Sequence, residues 1–184
     1  MRLESLGLIG NCQFSALVAN TGSIGWSCLP RFDAEPVFSS LLDAEGGGHF
    51  TIAPMEAGAT GEQRYLENTN VLATTFRGPG GSFRVLDFAP RFLQHDRVFR
   101  PTQLYRIVEP MEGTPRIRVQ CCPRLGWSKA APQELYGSNH VRFEGYGQPL
   151  RLTTDVPLSY LTGQAFALTE RRHLAFTWGA PIEE

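Results

Sequence analysis

The apolar residues of this chain fall in short runs, and Gly, Pro, Asn or Asp interrupts almost every one. Nineteen glycines and thirteen prolines in 184 residues leave little room for long helices. Pro removes a helical hydrogen bond, and Gly surrenders backbone entropy in any regular element. Short runs of period near two, bounded by turn residues, read as strands. The first hairpin is legible as a strand over 13–19, a turn at Asn20-Thr21-Gly22-Ser23 and a return over 24–28. A second runs over 69–76, turns at Gly78-Pro79-Gly80-Gly81 and returns over 82–88. Further strands are expected at 49–53, 103–108, 116–121, 140–144, 150–153, 158–161, 165–169 and 173–178. Residues 36–43 form the one helical stretch, with Pro36 suited to a first turn and Val37, Phe38, Leu41 and Leu42 at helical spacing. The expected fold is all-β: a large antiparallel two-sheet β-sandwich with one short helix near residues 36–43.

The length suits one domain over residues 1–178, after which 179–184 lose the strand pattern and read as the start of a linker. Seventeen Lys and Arg against eighteen Asp and Glu leave a net charge of −1, so no field favours nucleic acid. The start lacks a basic region followed by an apolar one, and no later run nears the roughly 18 apolar residues of a membrane span. The chain therefore reads as soluble and cytoplasmic. Cys12, Cys28, Cys121 and Cys122 fit neither a zinc pattern nor a disulfide scaffold, and buried free thiols are expected. His49, His95, His140 and His173 lack partners at metal-like offsets, and Ser15 and Ser23 lack a nucleophile elbow. Glycines 46–48 precede no phosphate-binding pattern, so neither metal nor cofactor is expected.

Several blocks stand in a fixed order: Ile9-Gly10-Asn11-Cys12 with Ala16-Leu17-Val18, Gly22-Ser23-Ile24-Gly25-Trp26, Cys28-Leu29-Pro30-Arg31-Phe32-Asp33, and Phe38 to Leu42. Tyr65-Leu66 with Thr69-Asn70-Val71-Leu72 follows, then Val85-Leu86-Asp87-Phe88-Ala89-Pro90-Arg91 and Arg106-Ile107-Val108. Together they resemble the trehalase-like N-terminal domain that precedes the catalytic domain in prokaryotic glycoside hydrolase family 15, the glucoamylase and trehalase type. The resemblance implies a β-supersandwich, a linker and an (α/α)6 barrel in which two carboxylates hydrolyse an α-glucosidic bond with inversion. Both carboxylates belong to the barrel, and no position here matches their motifs. The implied role is a non-catalytic module that supports a C-terminal (α/α)6 domain of the same polypeptide and meets an α-glucoside through it. An autonomous carbohydrate-binding module and a purely structural or oligomerisation domain are the rival readings, and a homo-oligomer stays open.

Arg31, Phe32 and Asp33 are the first candidates for a substrate pocket or domain interface. A Pro-terminated strand end followed by alternating charge and aromatic ring projects a guanidinium and a carboxylate outward, unless the two simply pair and fix the loop. Trp127 lies in a loop-like stretch and is the candidate exposed ring, whereas Trp26 and Trp178 fall within strand patterns and suit the core. Asn68, Asn70, Asp87 and Arg91 are expected to form a polar structural network between hairpin ends. Segments 91–101 and 126–138 read as long connections, where function or an inter-domain contact usually sits. Glu109, Glu112, Asp155 and Glu170 are scattered, with no spacing that pairs an acid with a base.

Overall fold

The computed structural model describes residues 3–56 and 58–179, so the linker expected from residue 179 lies almost wholly outside the described residues. Its strands are β1 (Leu6–Gly10), β2 (Ser15–Ala19), β3 (Ser23–Cys28), β4 (Pro36–Phe38), β5 (His49–Pro54), β6 (Glu62–Tyr65), β7 (Leu72–Gly78) and β8 (Gly81–Phe88). Then come β9 (Phe92–Gln94), β10 (Arg97–Phe99), β11 (Gln103–Gly113), β12 (Arg116–Cys122), β13 (Gln133–Tyr136), β14 (His140–Glu144), β15 (Leu150–Thr154), β16 (Phe166–Ala167) and β17 (Arg172–Trp178). One sheet has the order β1-β2-β3-β5-β12-β16, with β4 also on β3, and the other runs β13-β14-β15-β17-β11-β8-β7-β6. Neighbours are antiparallel, and the two sheets face one another as a sandwich. The all-β expectation holds. β9 and β10 pair only with each other.

The helix expected near residues 36–43 does not form. Val37 and Phe38 are both fully buried, and Pro36–Phe38 pairs with β3 as a short strand. A two-turn helix leaves most of its backbone groups unpaired, whereas edge pairing and core burial satisfy this segment. The following loop closes tightly, since the Ser39 amide and hydroxyl both donate to the Gly47 carbonyl and a Cβ on Gly47 would lie 2.4 Å from the Ser39 backbone. Two further strand expectations change: Leu158–Leu161 is a 3-10 turn, and within 165–169 only Phe166–Ala167 pairs. The supposed connections 91–101 and 126–138 contain the β9–β10 hairpin, a 3-10 turn and β13.

Phe176 of β17 centres the aromatic core, with ring centroids 5.2 Å from Phe38, 6.0 Å from Phe50 and 6.1 Å from Phe143. Beside it sits a buried ion pair. Arg106 on β11 and Asp87 on β8 are register partners, both wholly inaccessible, with Nε to Oδ1 at 2.7 Å and Nη2 to Oδ2 at 3.2 Å. The same guanidinium crosses to the opposite sheet, donating to the carbonyls of Phe50 and Gly22, and lies 4.8 Å above the Phe50 ring. Gly22 is required there: its φ is +83°, and a Cβ would come within 1.9 Å of the Ile52 carbonyl oxygen.

Arg106→Ala strands the buried Asp87 carboxylate and takes one donor from the Phe50 and Gly22 carbonyls, and we expect a loss of about 3–5 kcal/mol in urea denaturation. The double change Arg106→Met with Asp87→Leu should recover most of it, because no buried charge is then left alone. A loss below about 1 kcal/mol for the single variant would contradict the assignment.

Candidate functional site

One end of the sandwich gathers three loops: 11–14 between β1 and β2, 29–35 after β3, and 90–102 between β8 and β11. Asn11, with 1% of its surface exposed, ties the first to the third. Its carboxamide nitrogen donates to the carbonyls of Pro90 at 3.0 Å and Pro101 at 2.8 Å, and its oxygen accepts from the Gln13 backbone at 3.2 Å. Neither proline can donate, so their carbonyls are the groups a loop end has to satisfy. Gln13 adds a bond from Nε2 to the Thr102 hydroxyl at 2.9 Å. The last strand finishes at the same place, where the Trp178 amide donates to the Thr102 carbonyl at 3.0 Å.

Cys12, Gln13, Arg31, Phe32 and Arg100 line an open cleft of about 350 Å³ at this end. Arg31 and Asp33 form a two-point ion pair, Nε to Oδ1 at 2.9 Å and Nη2 to Oδ2 at 3.1 Å. The bond holds the Asp33 carboxyl below its ordinary range. Both partners are more than half exposed, so the pair shapes the loop more than it stabilises the fold. Phe32 between them is 65% exposed, and the Arg91 guanidinium stands 3.2 Å from the Cys12 sulfur.

Trp127 reaches this loop from its other side. Gly126 abuts the Glu35 side chain so closely that a Cβ would fall 1.9 Å from the carboxylate oxygen, and its φ is +53°. The Trp127 ring is 58% exposed and lies 6.3 Å from Trp26 at 49°. Lys129 next to it pairs with Asp43 at 2.7 Å, and that bond with the Gly46 and Glu45 amides pulls the Asp43 carboxyl down to about 2. Trp26 and Trp178 are only partly buried, Trp178 packing edge-on to Tyr146.

Residues 1–161 match the family model of trehalase-like N-terminal domains. The chain belongs to that family. The trehalase of Thermoplasma volcanium is 28% identical over 179 residues, which is 96% of this chain and 28% of its own length. That of Mycobacterium tuberculosis is 28% identical over 202 residues, 96% of this chain and 30% of its own. Trehalase 1 of Sulfolobus acidocaldarius is 46% identical over 88 residues, 48% of this chain and 15% of its own. The chain spans less than a third of the length of these relatives. No solved structure matches it.

In this trehalase-like domain the four residues expected as one polar network have separate partners. Asp87 belongs to Arg106, Arg91 to Cys12, and Asn70 donates to the Gly10 carbonyl, while Asn68 occupies a turn at φ +56°. Asp87 faces inward and the others are exposed, so the sandwich wall divides them. All four thiols are free, but Cys12 is exposed and Cys122 half-buried, against the expectation of burial. Burial raises the thiols of Cys28 and Cys121 above their ordinary value. Among the described residues no cluster of three His, Cys, Asp or Glu could hold a metal, and no helix is long and apolar enough to cross a membrane.

Sequence reasoning missed Asn11, Gln13 and Arg106. A signal for Arg106 existed: it shares strand parity with Leu104 and Val108, as Asp87 does with Val85 and Ala89, which puts opposite charges on the core-facing side. Asn11→Ala should leave the Pro90 carbonyl without its donor and the Pro101 carbonyl with only the Gln103 amide, with a loss of about 1–3 kcal/mol and faster tryptic cutting at Arg91 and Arg97. A cleavage rate equal to that of the parent chain would count against the clamp. An NMR titration of Asp43 should have its midpoint near 2. Any stability its pair with Lys129 adds is present above the ordinary carboxyl value and lost as pH falls through that midpoint.

Proposed function

We propose that this domain is the non-catalytic N-terminal module of an inverting α-glucosidase-type glycoside hydrolase of family 15. On this reading residues 1–178 are the module and 179–184 begin a linker to a C-terminal (α/α)6 catalytic domain, which binds the α-glucoside. The module packs against that barrel, supports it, and lines its substrate pocket with the loop at Arg31, Phe32 and Asp33. The observation that carries the reading is the family match over 1–161 in a chain less than a third as long as its trehalase relatives. Eight of the carboxylates support it too. Asp33, Asp43, Glu62, Asp87, Glu109, Asp155, Glu144 and Glu170 are each paired with a nearby Arg, Lys or His, an arrangement suited to structure and poor for a general acid. Four free thiols accord with a cytoplasmic location.

A carbohydrate-binding role is favoured by one feature, the exposed Trp127 ring tilted against Trp26, since aromatic faces pack on pyranose rings. Quenching of tryptophan fluorescence by maltooligosaccharides, abolished in Trp127→Ala, would support it.

The 184-residue chain should show no turnover of trehalose, maltose or maltooligosaccharides, whereas the polypeptide extended through the barrel should. Activity of the lone chain would overturn the non-catalytic role. In the extended enzyme, Phe32→Ala or Arg31→Ala should lower kcat/KM by about tenfold, the equivalent of about 1.4 kcal/mol, through KM. Unchanged kinetics would remove the loop from the pocket.

A further inference from the structure

The β9–β10 hairpin stands clear of both sheets. Every residue from Arg91 to Arg100 is exposed. Phe92 and Phe99, opposite in register, stack at 5.5 Å on one face, and Leu93 and Val98 face each other on the other. Exposures of 40%, 40%, 68% and 53% leave both apolar faces open to water. A lone two-stranded hairpin is marginal in water unless a third strand or another surface packs on it. Its turn adds to the cost, because His95 and Asp96 take φ of +48° and +58°, a region that Gly enters without strain. Three arginines, Arg91, Arg97 and Arg100, face a single Asp96, so the segment is also clearly cationic.

The hairpin is nevertheless held at a defined place. Asn11 clamps Pro90 and Pro101 at its base, and the Trp178 amide bonds to Thr102 immediately beyond. The strand that leads out of the domain therefore ends beside the foot of the hairpin. We propose that the 91–100 hairpin is the element by which this domain grips the following catalytic domain, and that the receiving surface is an apolar slot edged by carboxylates. The inference rests on the reading above, that such a domain follows in the same polypeptide. Apolar groups on both hairpin faces call for a slot rather than a flat patch, and carboxylates at its rim would answer the guanidinium excess. A base fixed in advance by Asn11 lowers the ordering cost of docking.

Hydrogen–deuterium exchange on the full polypeptide, set against the 184-residue chain, tests this. Peptides covering 91–100 should exchange at least about tenfold more slowly in the full polypeptide. The double variants Phe92→Ser with Phe99→Ser, and Arg97→Glu with Arg100→Glu, should each restore the fast exchange of the lone chain. These side chains are exposed, so the charge-reversed pair should leave the urea midpoint of the 184-residue chain unchanged, which separates lost docking from lost folding. Protection that appears elsewhere on the surface but not over 91–100 would overturn the role of the hairpin and leave domain packing intact. Protection that survives charge reversal would overturn the carboxylate-edged slot. No protected surface anywhere, or a reading frame that stops at Glu184, would overturn this inference together with the reading on which it rests.

Discussion

The Arg106–Asp87 pair is the interaction on which the rest of the sandwich depends. Two sheets packed through aliphatic and aromatic side chains can slide, since dispersion is weakly directional. A guanidinium cannot, because its donors form a rigid fork. Here that fork binds a carboxylate on its own sheet and two backbone carbonyls on the facing one, which fixes the relative position of β11, β8, β5 and the β2–β3 turn. A buried pair of this kind is weak evidence for net stability, because removing both charges from water offsets much of their attraction. Its value lies in register. The glycine at 22 belongs to the same device, since a side chain there would occupy the space of the Ile52 carbonyl.

With the sheets locked, the strand ends come together and the loops at one end acquire fixed places. Asn11 acts there as Arg106 acts in the core, joining segments about 80–90 residues apart in sequence through a small polar group with no slack. The cleft of Arg31, Phe32 and Arg100, the Trp127 turn and the arginine-rich hairpin therefore stand on a rigid base. Loops of this kind on a rigid scaffold are where recognition is usually placed. The ion pairs of Arg31 with Asp33 and of Lys129 with Asp43 help to shape the loops there.

The strand pattern was legible because period-two alternation and Gly or Pro punctuation act locally. Both hairpins, 13–28 and 69–88, follow from it with shifts of a few residues at the ends. Residues 36–43 failed for the complementary reason. Their apolar spacing suits a helix, but Val37 and Phe38 gain more by entering the core beside β3, and that gain exists only once β3 and β5 are assembled. Of the candidate site, Arg31, Phe32 and Trp127 were singled out from turn context and residue type, and their side chains are exposed. The proposed network of Asn68, Asn70, Asp87 and Arg91 was not recoverable, because proximity in sequence says nothing about which side of a sheet wall a side chain takes.

The sequence by itself determined the fold class, the position of most strands and, through its ordered blocks, membership of the trehalase-like N-terminal family. These depend on local periodicity, turn chemistry and inherited motifs, all written in consecutive residues. Only the tertiary structure decided that Arg106 spans the sheets, that Asn11 closes the base of the 91–100 hairpin, and that the last strand ends beside it. Each of those contacts joins residues far apart in the chain, and its energy comes from satisfying a buried polar group, a demand that arises only when packing has taken the water away.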